Sequence, residues 1–207
     1  HAQAAAISVE FDNRSISAGP GGTPVPPGSS LFDASVTSSS GTATAFQNTL
    51  LSPDQISGSG GVDTTSLTDD WAYGQSLFYV GFSVDAPTAY TFSGSIATYV
   101  YAYQGGTLAH VELYTSTGSF RPGPFNPDRS FATSGILQPG FTNYLMIYIN
   151  ASPHSRSGGT FNFTLAVPEP SLLSLLGAAA ATIALATRRG EWRLLARRPR
   201  PASRAAR

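Results

Sequence analysis

Cysteine is absent from the 207 residues, and so is lysine, so that all twelve basic residues are arginine. The first absence excludes disulfides, thiolate zinc sites and thiol nucleophiles, and leaves the fold to be held by its core alone. Charged residues make up 12% of the chain, about half the usual share in globular domains. Also missing are a Gly-x-Ser-x-Gly elbow, a His-Glu-x-x-His pair, a phosphate loop and a dinucleotide fingerprint, which withdraws support from the main motif-bearing enzyme classes. Helical periodicity is lacking as well: before residue 168 no stretch of helical length carries apolar residues at three-and-four spacing.

What is there divides the chain in two. From His1 to Val167 four Arg face ten Asp and Glu, a formal −6; from Pro168 to Arg207 eight Arg face two Glu, a formal +6. An acidic body argues against nucleic acid as a partner, because phosphate binding needs clustered cations on the folded part. With the C-terminal forty residues set aside, the remaining length is that of one domain. Ala2-Gln3-Ala4 has the small-x-small form of a signal-peptidase site, from which a removed leader and export are expected.

Within the body the period is two. Phe78, Val80, Phe82 and Val84 alternate with Tyr79, Gly81 and Ser83; further core positions follow at Tyr90, Phe92, Ile96, Val100 and Ala102. The same spacing recurs at Val111 and Leu113, at Leu145, Ile147 and Ile149, and at Phe161, Phe163 and Leu165. Ile7–Phe11 and Ala43–Thr49 read as earlier strands. Runs of about five to nine residues bounded by Gly, Pro, Ser or Asn predict an all-β fold, an antiparallel β-sandwich or jelly roll. Loops are expected between the first two strands, over Gly118–Arg129, and at Pro153–Gly159, read as a wide hairpin. A Leu137-Gln138-Pro139-Gly140 turn is expected as well, of a form seen in other secreted sandwich domains.

Ser171–Thr187 is seventeen residues without a charge, about 25 Å as a helix, and reads as a single transmembrane helix. The arginines after it place the tail, residues 188–207, in the cytoplasm and the body across the inner membrane, in the periplasm. Before the span, Pro168 and Pro170 fix two φ angles and remove two amide donors, so the segment is expected to be extended and accessible.

Val167-Pro168-Glu169-Pro170-Ser171, the short apolar span and the stop signal Arg188-Arg189 together resemble the PEP-CTERM sorting signal of exopolysaccharide-producing Gram-negative bacteria. The three parts stand in the family's order over Val167–Arg189, and the chain continues eighteen residues further. The resemblance implies that an exosortase recognises Pro168-Glu169-Pro170 and removes the C-terminal helix, making this chain a substrate of the processing enzyme.

Three groups in the body are candidate sites. Tyr99, Tyr101 and Tyr103 alternate with Val100 and Ala102, a ring stripe suited to stacking on sugars or to covering the sandwich. Asp63, Asp69 and Asp70, with threonines between, offer oxygen ligands for calcium on what reads as a loop, though the spacing fits no EF-hand and such residues are ordinary in loops. Calcium is the one cofactor that these residues suggest. His110 and Glu112 share a strand face, as a base with its orienter or as solvated side chains. The expected function is that of an exported, non-catalytic cell-surface or extracellular-matrix protein associated with exopolysaccharide. A secreted hydrolase with an unrecognised site and a self-associating adhesin are the alternatives.

Overall fold

The computed structural model describes residues 6–19, 30–38, 42–65, 73–100, 106–123, 128–151 and 156–167, which lie within one compact unit, Ala5–Pro168. The span Ser171–Thr187 and the tail fall outside them.

The described residues form twelve strands: β1 (Ile7–Asp12), β2 (Ser15–Ala18), β3 (Leu31–Thr37), β4 (Ala43–Leu51), β5 (Gln55–Thr64), β6 (Gly74–Val84), β7 (Thr88–Val100), β8 (Thr107–Thr115), β9 (Gly118–Phe120), β10 (Arg129–Leu137), β11 (Asn143–Ala151) and β12 (Ser157–Ala166). They make two antiparallel sheets. Sheet A runs β1-β6-β11-β8-β9, with β2 also on β6, and sheet B runs β10-β7-β12-β5-β4-β3. From β5 onward almost every connection crosses between sheets, so residues near in sequence face each other across the core.

Period-two patterning produces that core. Phe78, Val80 and Phe82 of β6, Leu145, Ile147 and Ile149 of β11, and Val111 and Leu113 of β8 point inward from sheet A. Tyr90, Phe92 and Ile96 of β7 and Phe161, Phe163 and Leu165 of β12 point inward from sheet B. Phe78 and Phe163 meet across the gap with ring centroids 4.8 Å apart. Each such ring or branched chain, buried from water, contributes about 1.5 to 3 kcal/mol.

Several expectations need correction. Val100 is 45% exposed and is not core. It has the inward parity of Ile96, but β10 begins opposite Ile96, so no described β10 residue flanks it and the strand end stands past the last core layer. Asp63 lies in β5, not in a loop, since β5 threads the glycine-rich Gly58-Ser59-Gly60-Gly61 run between β4 and β12. Gly118–Phe120 and Arg129 are in strands, and so are Ser157–Gly159. Strands β2, β3 and β10, whose apolar alternation is short or broken by small polar residues, had no clear signal. The turn after β10 is present, with Gly140 at φ 74°, where an L side chain is strained.

Between β1 and β2 the edge of sheet A is interrupted at Asn13-Arg14, and the interruption turns Arg14 inward. Its side chain is fully buried. Nε donates to Asp12 Oδ1 and Oδ2 at 2.8 and 3.0 Å, and Nη1 donates to Thr49 Oγ1 at 3.0 Å. The guanidinium also lies 5.5 Å from the Phe32 ring centroid, so one side chain ties the β1/β2 edge to sheet B.

Candidate functional site

The outward positions of sheet A carry large rings where a solvated face normally carries polar residues. Register assembles them: Tyr144 of β11 stands opposite Tyr114 of β8 on one side and Gly81 of β6 on the other, and Met146 stands between Tyr79 and Glu112. Phe11 of β1, paired with Gly81, lays its ring over that glycine where a side chain would collide with it. The rings form a continuous cluster. Phe11 and Tyr79 meet edge to face at 4.9 Å, Tyr79 and Tyr144 lie 6.3 Å apart and tilted by 30°, and Tyr114 is 6.2 Å from Tyr144 and 5.8 Å from Phe141.

Tyr79, Tyr114, Tyr144 and Met146 border a depression of about 200 Å³ together with Glu112. The Glu112 side chain is only 14% exposed and is held on both oxygens. Arg121 Nε and Nη2 lie 2.7 and 2.6 Å from Oε1, and His110 Nε2 lies 3.3 Å from Oε2. Of the two readings of the shared strand face, solvated side chains or a His110–Glu112 pair, the contact between them is present, and Arg121 joins it from just beyond β9. Glu112 is the one charged group among the described residues lining the depression, and the Arg121 guanidinium, itself outside that lining and 62% exposed, offsets its charge. Apolar ring surface beside a small set of fixed polar groups is the composition of a ligand site.

The other candidate residues are placed as follows. Tyr99 is at the end of β7 on the outer face of sheet B, and its hydroxyl donates to Asp63 Oδ1 at 2.7 Å. Tyr101 and Tyr103 lie outside the described residues, as do Asp69 and Asp70. No group of three metal-ligating side chains occurs among the described residues. Val167 is buried at 2% exposure and donates its amide to Asp54 O at 2.8 Å, so this residue closes the body. Pro168, Glu169, Pro170, Ser171, Arg188 and Arg189 lie outside the described residues.

Sequence reasoning missed Tyr79, Tyr114, Tyr144, Met146 and Arg121 as a group. A signal was present, since Tyr79, Tyr144 and Tyr114 each adjoin core residues at positions of outward parity. Which of them become neighbours is set by strand order, which periodicity does not encode.

No protein-family model and no curated protein matches the chain. Among solved structures, the enzymatically active domain of tailspike protein 4 of bacteriophage CBA120 aligns at 13% identity and a TM-score of 0.32 over 68% of this chain. This chain spans 20% of that one. A family 11 carbohydrate-binding module from Clostridium thermocellum, in complex with a β-1,3-1,4-mixed-linked tetrasaccharide, aligns at 10% identity and a TM-score of 0.25, covering 75% of this chain and 97% of that one.

Proposed function

We propose that the chain is an exported, non-catalytic surface or matrix protein whose β-sandwich body binds neutral polysaccharide on the outer face of sheet A. The observation that carries this reading is the Tyr79, Tyr114, Tyr144 and Met146 cluster around the Glu112–Arg121 pair. Sugar rings offer C–H faces to aromatic surfaces and hydroxyls to fixed donors and acceptors, and a site with both suits them. The formal −6 of residues 1–167 disfavours polyanions at long range, which leaves neutral or weakly charged chains. Glycoside hydrolysis ordinarily uses two carboxylates flanking the bond, whereas Glu112 is the single carboxylate among the described residues lining the depression. Binding without turnover is therefore the reading favoured over the hydrolase.

Sorting belongs to the same proposal. Export, a membrane-anchored precursor and exosortase processing at Pro168-Glu169-Pro170 rest on the sequence motif and would deliver the body to the polysaccharide outside the cell.

The test is affinity electrophoresis of the detergent-solubilised full chain through gels containing galactomannan or hydroxyethylcellulose. Tyr144→Ala is expected to weaken retention by about tenfold, close to the value of one stacked ring, with thermal unfolding little changed. Retention equal to that of the unsubstituted protein would remove sheet A as the binding face.

A further inference from the structure

Strands at the end of a sheet present unpaired backbone groups, and proteins guard such edges with charge, bulges or shortness. In sheet A, β1 carries Glu10, Asp12 and a register shift between Val9 and Phe11, while β2 has four residues and β9 three. In sheet B, β3 carries Asp33. The strand at the other end of sheet B, β10, has none of these protections. Its nine residues pair with β7 from Arg129 to Leu137 without a break, and after Arg129 they include no charge and no proline.

Register identifies which groups β10 offers. The Val167 amide bonds to Asp54 O, and the ladders alternate from there: odd residues of β12 bond to β5 and even ones to odd residues of β7, which leaves the even residues of β7 to bond to odd residues of β10. The backbone groups of Phe131, Thr133, Gly135 and Leu137 are thus engaged with β7. Those of Ser130, Ala132, Ser134 and Ile136 point away from the sheet. All four residues are exposed, Ile136 at 52%, and among the described residues no strand pairs with them.

We propose that β10 pairs antiparallel with β10 of a second copy, Thr133 opposite Thr133 across a twofold axis, so that sheet B runs on through both copies. In this register Ser130 meets Ile136 and Ala132 meets Ser134, and every outward amide and carbonyl of the four residues finds a partner. The outward side chains are small except Ile136, which lands beside Ser130, so nothing holds the strands apart. Charge favours a second copy as the occupant. Residues 1–167 carry a formal −6, so copies repel wherever acidic edges meet, whereas β10 holds no acid and one exposed cation, Arg129. Antiparallel pairing sets Arg129 opposite Leu137 of the second copy, whose β7 neighbour Thr88 follows the exposed Asp85 turn; Asp128 stands past the last pair. Because inward residues meet inward residues, both copies hold sheet A on the same side of the shared sheet. The pair then presents two sheet A faces in one direction, which raises avidity for a repeating chain. That consequence rests on the glycan reading given above, whereas the contact stands on β10 itself.

The chain has no cysteine, so one introduced thiol reports the contact. Thr133 and its counterpart form a non-hydrogen-bonded pair with Cα atoms about 4.5 Å apart, a separation that a disulfide spans. The detergent-solubilised full chain carrying Thr133→Cys is expected to form a covalent dimer under mild oxidation, whereas Asp33→Cys, on the guarded edge β3, stays monomeric. Adding Ser134→Pro removes an outward amide and keeps the β7 ladder intact. Two hydrogen bonds are then lost per dimer, so the initial rate of cross-linking is expected to fall about tenfold. Ala132→Lys/Ser134→Lys, which sets like charges directly opposite each other without altering the backbone, is expected to slow it likewise, with thermal unfolding little changed. Cross-linking of Thr133→Cys no faster than that of Asp33→Cys overturns the proposal. A rate unchanged by both the proline and the lysine substitutions places the contact elsewhere on the chain and overturns it too. Galactomannan retention is measured separately on the same proteins, so failure of the glycan reading leaves the β10 contact standing, and the reverse.

Discussion

Arg14 shows what a single residue contributes to holding the sandwich closed. A cation with no solvent exposure is tolerated because Asp12, the Thr49 hydroxyl and the Thr49 carbonyl accept from it, the last at 3.3 Å. Removing one partner of such a buried pair typically costs about 3 to 5 kcal/mol, since the remaining groups are left unpaired and a cavity opens. Gln47 is the opposite case. It is equally buried, yet neither its amide nitrogen nor its amide oxygen has a hydrogen-bond partner among the described residues. Urea unfolding of the two variants is expected to diverge: Arg14→Ala loses about 3 to 5 kcal/mol, whereas Gln47→Met, similar in length and without the unpaired amide, is neutral or stabilising. Neither role was legible beforehand, because an arginine just after the first strand and a glutamine within the second predicted one look like surface residues until the β1/β2 interruption and the inward parity of β4 are known.

Among the elements, β7 is the one whose core and surface contributions separate most clearly. It pairs with β10 only as far as Ile96, and with β12 through to Val100. Ile96 is 1% exposed, so Ile96→Ala should cost about 2 to 5 kcal/mol through lost burial and the cavity left behind. Val100→Ala, at a half-exposed strand end, should fall within about 0.5 kcal/mol of the parent. Thermal melts of the two variants check this, and equal losses would show the core reaching further along β7 than its pairing does. Alternation alone gives Ile96 and Val100 the same inward parity. What distinguishes them is the length of the neighbouring strand, a property of β10 and not of β7.

For the whole molecule, the sorting proposal makes a prediction that is independent of glycan binding. Ser171–Thr187 is uncharged and bounded by prolines and arginines, so the intact chain is expected in the membrane fraction of a host without an exosortase. In a host with one, the surface form should end near Pro168-Glu169-Pro170 and lack Trp192 and the arginine tail. Intact-mass measurement of the surface fraction decides, and a main species ending at Arg207 would count against processing. Val167, buried in the body and bonded to Asp54, sets the closest approach of such a cut to the fold.

The sequence by itself determined the all-β class, most of the inward-facing residues from Phe78 to Leu165, the acidic body and the motif on which the sorting proposal rests. Each of these is local: parity needs only neighbours two apart, and a charge segment or a motif is contiguous. It also placed His110 and Glu112 together, because they share one strand. Everything that joins different strands was decided by the tertiary structure. Tyr79, Tyr114 and Tyr144 are far apart along the chain and meet because β6, β11 and β8 are neighbours in sheet A. Tyr99 reaches Asp63 because Gly158, on the strand between them, has no side chain to hold the ring away. Alternation tells which face a residue joins, but strand order and register, fixed by how the two sheets bury their apolar faces against each other, decide its neighbours on that face.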